Sequence, residues 1–384
     1  RRIFDSRIWI RTSGMRALST SSGRKPTAIV MMNMGGPSTL DEVHSFLNNL
    51  FADRQIIRLP FQSVLGPWIA KRRTPKIQKQ YAAIGGGSPI RKYTEIQGKL
   101  LVDALDKLHP ETAPHKAYVA FRYAAPLTEH ALAEMQRDGV ERAIAFSQFP
   151  QWSCTTSASS VNELWRHVQS MGLDKMRWSV LDRWHSHPAF ISALASKIIQ
   201  GLEGYDAAQR SHAVLLFSAH SIPMYRVNDG DPYPQEVGAT VGRVVEELRR
   251  RGHTNPYALC WQSKVGPLPW LGPRTPDVME RLAKQGHKHM LVVPVAFTTD
   301  HVETLFEIDV EFGEVAHKLG VEMRRSPSFN DDPVFAQALA AIVGDHLTSR
   351  EPCSPQYGLK CAGCVCPAEC RRIPNPVAPY APLP

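Results

Sequence analysis

Short apolar runs, rich in β-branched residues, alternate with stretches of helical periodicity along most of the chain. The run AIVMMN at 28–33 and the runs at 117–121, 142–148 and 176–181 have the length and composition of buried strands. Apolar residues at 100, 101, 104, 105 and 108, and again at 161, 164, 165 and 168, mark helices between them. After a helix at 188–202 the pattern restarts. Strands at 213–217, 256–260 and 289–295, with one more at 321–325, alternate with helices at 235–251 and 276–285, and Asp332 and Pro333 start a last helix that runs to 347. Alternation at this spacing predicts an α/β chain of two Rossmann-like, doubly wound units with parallel sheets, divided near 190. Thr94 and Gln97 read as a capping box for the helix that Pro110 stops, while Pro126 opens and Gly139 closes the next.

The stretch at 289–312, HMLVVPVAFTTDHVETLFEIDVEF, carries the densest polar chemistry. Its strand gives way to Thr298, Thr299 and Asp300, residues that start helices. Glu303, Glu307 and Glu311 then recur every four residues, so three carboxylates share one helical face. Like charges at this spacing repel. A solvated acidic face is one reading; a row that passes protons or a hard divalent cation inward is the other. Asp300 and His301 crowd its head, at the carboxyl end of a buried strand, where open α/β sheets bind ligands. His220 ends the strand at 213–217 in the same manner, placed either as a general base or as a histidine satisfied by backbone.

With 384 residues, 43% hydrophobic and 21% charged, the chain fits two globular units. A formal charge of +9 suggests an anionic partner, yet no nucleic-acid motif is present, and the glycine-rich turns at 35–37 and 84–89 have neither GxGxxG nor Walker A spacing. Residues 1–26 set six arginines against the single acid Asp5 in a Ser/Thr-rich stretch, the composition of a mitochondrial presequence. Leu50, Phe51, Ile56, Ile57, Phe61 and Trp68, interleaved with basic residues, suggest either a lip that dips into lipid or ordinary packing under a loop. Five of the seven cysteines crowd 353–370, which argues for a metal centre, zinc or iron–sulfur, in an extension over 351–384.

FSAHSIPM (217–224), GDPYPQEV (230–237), WQSKVGPLPWLGP (261–273), VAFTTDHVETLFEID (295–309), NMGGP (33–37), KRRTPKIQKQY (71–81), IGGGSPI (84–90) and FRYAAPLTE (121–129) together resemble the ferrochelatases, in consistent order from 27 to about 350. The resemblance implies a chelatase-like fold with units at 27–190 and 191–350. It also implies insertion of ferrous iron into protoporphyrin IX by a homodimer held peripherally on the matrix side of the inner mitochondrial membrane. It makes His220 the acceptor of pyrrole protons, with Glu303 beside it and His301 and Asp300 tuning its protonation. Glu307 and Glu311 would continue a path for protons or iron, and Arg122 and Tyr123 would line the opposite wall, where iron is received. Met34, Trp184, Trp261, Trp270 and Phe297 would supply apolar contact to the macrocycle. Arg73, Tyr81 and Ser88, with Tyr233, Gln262, Ser263 and Lys264, would handle its propionates. The resemblance further implies a 2Fe-2S cluster on Cys154, Cys361, Cys364 and Cys370. The last comes one residue later than the family's C-x2-C-x4-C spacing, and Cys366 is the alternative. A carrier of haem or iron–sulfur clusters, with the same pocket but no chemistry, is the competing function.

Overall fold

A computed structural model describes residues 23–359. The predicted strands form two four-stranded parallel sheets. The first holds β1 (Thr27–Asn33), β2 (His115–Phe121), β3 (Arg142–Ser147) and β4 (Arg177–Leu181) in the order β2-β1-β3-β4. The second holds β5 (Val214–His220), β6 (Tyr257–Gln262), β7 (His289–Pro294) and β8 (Glu322–Arg325) in the order β6-β5-β7-β8. The two orders are the same topology repeated. In each, the chain leaves the first strand on one side and returns on the other, which opens a crevice at the carboxyl ends of the two central strands. In the second sheet those strands are β5 and β7. His220 is the last residue of β5, and the acidic segment follows β7.

β1 is buried along its whole length, and β5 is buried up to His220. This is why both read as unbroken apolar runs. One core spans the sheets, joining Ile29 and Met31 of β1 to Leu215 and Phe217 of β5 through helices Pro188–Leu202 and Pro333–Thr348. Helix Pro333–Thr348 begins as predicted, with the Asp332 side chain accepting from the Val334 amide.

Two local expectations differ from the structure, and a third resolves between alternatives. Helix Ile90–Leu108 starts before Thr94, so there is no capping box at that position. Thr94 lies inside the helix and donates to the Ile90 carbonyl at 2.7 Å. Gln97 reaches instead across to the second unit, donating to the carbonyls of Thr298 (3.1 Å) and Asn330 (2.8 Å). The acidic segment Glu303–Phe312 is a π-helix rather than an α-helix. Its rings close from i to i+5, a geometry that seldom persists beyond one turn. Four residues remain close to one turn, so the acids stay roughly in line. Of the two readings of 50–68, packing holds for Phe51, which is buried with Leu50, Ile56 and Ile57 beside it. Exposure is concentrated at Phe61 (83%), Val64 (67%) and Trp68 (57%), where helix Gln62–Ala83 begins.

Candidate active site

The crevice beyond β5 and β7 brings together His220, His301 and Glu303. His220 Nδ1 lies 2.5 Å from the Ser221 carbonyl. A carbonyl only accepts, so Nδ1 carries a hydrogen, which leaves Nε2 as the nitrogen turned toward the crevice. That Nε2 faces Glu303 Oε1 at 3.6 Å, while His301 Nε2 lies 3.5 Å from Glu303 Oε2. His301 is fixed from its other nitrogen by the Thr299 carbonyl at 2.9 Å and packs on Phe297, ring centroids 4.6 Å apart. The side chains of His220 (36% exposed) and Glu303 (23%) open to the crevice rather than lying in dry packing. Glu303 Oε2 is nonetheless buried with no hydrogen bond among the described residues, and so is the indole N–H of Trp270, whose ring tilts over His220.

Charge is distributed to match. Burial pushes the Glu303 carboxyl upward, but the imidazoles of His220 and His301 outweigh it and hold the group below the usual carboxylate range. His301 moves the other way: burial pulls it down, and the neighbouring Glu303 lifts it above the ordinary histidine value. Glu307 is raised, first by burial and then by the Glu303 charge. It accepts from the Ser263 amide at 2.7 Å, from the Ser263 hydroxyl and from Gln262 Nε2 at 3.2 Å. Ser263 adopts φ 64°, a strained conformation outside glycine, to make this contact. Glu311 is exposed. The acidic row thus runs from the crevice to the surface.

Asp300 stands apart from this proton-holding group. Arg325, Ser328, Thr304 and Asn330 all donate to its carboxylate, and they hold it below its usual range against burial. Gln262 and Ser263, expected at a propionate, are engaged by Glu307; Lys264 is exposed beside them. Trp184 is core rather than a wall of this crevice: it packs on Phe190, Phe146 and Phe335, and its indole donates to the Ser147 carbonyl. Trp261 is likewise buried, against Tyr233.

The opposite wall is built from β1, β2 and helix Gln62–Ala83. Met34, Tyr81 and Tyr123 share an apolar cluster with Val302, the residue before Glu303. Burial and then the Glu303 charge push the phenols of both Tyr81 and Tyr233 upward, which marks their proximity to it. Burial lowers Arg73, whose guanidinium lies over Phe51. A cavity of about 470 Å³ opens between Ser88, Lys92, Asp300 and Leu305. Arg122 and Tyr123 are tied to groups that sequence reasoning missed. Asp53 accepts from Tyr123 (2.7 Å) and Ser159 (2.5 Å) and pairs with Arg122 at 3.3 Å, and Glu163 lies 3.5 Å from the same guanidinium. No local motif marks Asp53 or Ser159.

The ferrochelatase family model matches residues 26–347. The chain belongs to the ferrochelatase family. It is 56% identical over 348 residues to the mitochondrial ferrochelatase of Xenopus laevis (90% of this chain, 84% of the relative). It is 54% identical over 352 residues to that of Bos taurus (91% and 84%). A solved structure of SirB from Bacillus subtilis with Fe3+ aligns at a TM-score of 0.47 and 12% identity, covering 83% of this chain and 95% of that one.

Of the expected iron–sulfur ligands, Cys361, Cys364 and Cys370 lie outside the described residues, as does the alternative Cys366. Cys154 is buried at the start of a short π-helical turn, its amide donating to Asp231 at 2.8 Å. No group of three or more His, Cys, Asp or Glu suited to a metal occurs among the described residues.

Proposed function

We propose that His220 and Glu303 are the proton-accepting pair of a mitochondrial ferrochelatase. The chain inserts iron into protoporphyrin, the terminal step of haem biosynthesis. Each turnover exchanges two pyrrole N–H protons for one Fe2+, so the site must take up two protons and pass them on. His220 Nε2 accepts from a pyrrole nitrogen; its Nδ1–H, held by the Ser221 carbonyl, keeps the tautomer that can do so. Glu303, ionised at neutral pH, stabilises the imidazolium and takes the proton onward. Glu307, raised and therefore readier to hold a proton, relays it toward exposed Glu311. His301 keeps Glu303 charged between turnovers. Met34, Phe297 and Trp270 give the macrocycle its apolar contacts, and Arg73, Tyr81 and Ser88 meet its propionates. Arg122 and Tyr123 hold the opposite wall. The two units divide near 190.

The single observation that carries this reading is the 3.6 Å approach of an imidazole, its Nδ1 tied to the Ser221 carbonyl, to a depressed carboxylate, with both side chains partly exposed. A haem or cluster carrier would not need it. With ferrous iron and protoporphyrin under anaerobic conditions, His220→Ala is expected to lose metalation by roughly 10²–10⁴-fold while still quenching porphyrin fluorescence. Metalation that persists would remove His220 from the proton-accepting role.

The exposed face of Phe61, Val64 and Trp68, with the Arg72 guanidinium over Trp68, supports peripheral contact with an anionic inner membrane on its matrix side. No helix among the described residues is long and apolar enough to span one. The homodimer rests on the family resemblance. A 2Fe-2S cluster on Cys154, Cys361, Cys364 and Cys370 fits one observation. Tyr357 packs edge-on against Trp152, ring centroids 5.9 Å apart, which brings the chain back beside the Cys154 turn. From there Cys361 is four residues away, a reach of about 13–14 Å. Such a cluster supplies redox or structural chemistry, not the proton transfers above. Its absorption bands are expected in the purified protein and should vanish in Cys361→Ser; a colourless zinc protein would overturn the assignment.

A further inference from the structure

The π-helix Glu303–Phe312 needs an explanation. It keeps an unusual ring geometry for ten residues, has no side-chain N-cap, and carries a row of acids that repel one another. We propose that Arg325 is the positioning residue that holds this register, acting as a brace between the edge of the second sheet and the helix. The inference rests on the roles given above to Glu303 and Glu307.

Arg325 is the last residue of β8 and pairs with Val292 of β7, so its backbone is anchored to the strand that delivers the acidic segment. Its guanidinium grips Asp309 with two parallel bonds, Nε to Oδ1 at 2.7 Å and Nη2 to Oδ2 at 2.9 Å. From the same planar group, Nη1 donates to Asp300 Oδ1 and Ser328 Oγ at 3.0 and 2.9 Å. One cation therefore pins the turn before the helix and a point midway along it. Asp300 passes the constraint into the first helical turn through the Thr304 hydroxyl at 2.9 Å. Asn330 passes it to the first unit, since it bonds Asp300 at 2.8 Å while its own carbonyl accepts from Gln97.

Fixing residues 300 and 309 at once sets the distance that the residues between them must span from one side chain on a rigid sheet edge. Relaxation to an α-helix would take one residue out of each ring. Glu303 and Glu307 then could not keep their respective contacts with His220 and Ser263. Lysine cannot replace the brace, because it offers a point charge instead of a planar fork.

The test compares Asp309→Asn, Arg325→Lys and wild type. Asp309 lies outside the crevice and is 38% exposed, so its substitution keeps the fold accessible to measurement. Amide hydrogen exchange over 302–312 is expected to accelerate in both variants, while strands β5 and β7 keep their protection. The value of kcat should fall by about tenfold or more, as small misplacements of reacting groups do, with KM for porphyrin little changed. A purely structural contact would lower the melting temperature and leave the ratio of kcat to KM alone; that result, or unchanged exchange over 302–312, overturns the proposal. The readouts separate the two claims: an active His220→Ala would sink the proton-acceptor reading while exchange in Asp309→Asn still judged the brace.

Discussion

The two walls of the crevice handle buried polar groups in opposite ways. On the first sheet, Asp53 is fully engaged by Tyr123, Ser159 and Arg122, and Arg122 is shared between Asp53 and Glu163. On the second, Glu303 Oε2 and the Trp270 indole are buried without a hydrogen bond, and the His220–Glu303 approach is longer than a hydrogen bond. A satisfied buried network stabilises shape, whereas an unsatisfied one costs free energy wherever it is not used. The incomplete wall is therefore where chemistry is expected, and the more complete one, around Asp53, is expected to hold the shape of the crevice.

The larger effect should come from upsetting the charge balance of the incomplete wall. His301→Gln removes one of the two imidazoles that hold Glu303 below the carboxylate range and leaves His220 alone against burial, which acts upward. The acid limb of the pH profile of kcat/KM should then move to higher pH. Below that limb activity falls by about tenfold for each unit it moves. Stability follows linkage. His301 is raised on folding, so its contribution is complete below the ordinary histidine value and disappears as pH rises through the raised one. Glu303 is depressed, so its contribution is present above the ordinary carboxylate value and is lost as pH falls through the lowered one. The variant should lose the His301 contribution and part of that of Glu303. An acid limb that stays in place would remove His301 from the charge balance.

The same contrast explains what could be read in advance. Buried parallel strands advertise themselves as β-branched runs, so β1, β3, β5 and β7 and the residues at their carboxyl ends, His220 and the acidic row among them, were legible. Elements decided by distant contacts were not. Thr94 looks like a cap because threonine before glutamine at that spacing often is one; the helix starts earlier, and its hydroxyl is satisfied by its own Ile90 carbonyl. The four-residue acidic repeat fits an α-helix and a π-helix equally well, and the choice coincides with an arginine that lies beyond Asp309 in sequence. Trp184 resembles a pocket wall until Phe146, Phe190 and Phe335 close around it. Asp53 and Ser159 belong to a network assembled from three separate segments, and no local pattern records it.

A smaller effect is expected at the complete wall. Tyr123 is 1% exposed and its hydroxyl donates to Asp53 at 2.7 Å. Tyr123→Phe keeps the ring, including its edge-on packing with Phe46, and deletes that one donor. Asp53 retains Ser159 and Arg122, so the carboxylate remains paired. The loss should be about 1–3 kcal/mol of stability, the usual range for a hydrogen bond to a charged group. Denaturant unfolding would measure it. Metalation should change little, in kcat and in KM for iron alike, because the hydroxyl is already committed to Asp53. A raised KM for ferrous iron with unchanged stability would reverse the assignment, moving Tyr123 from the holding wall to the route by which metal enters.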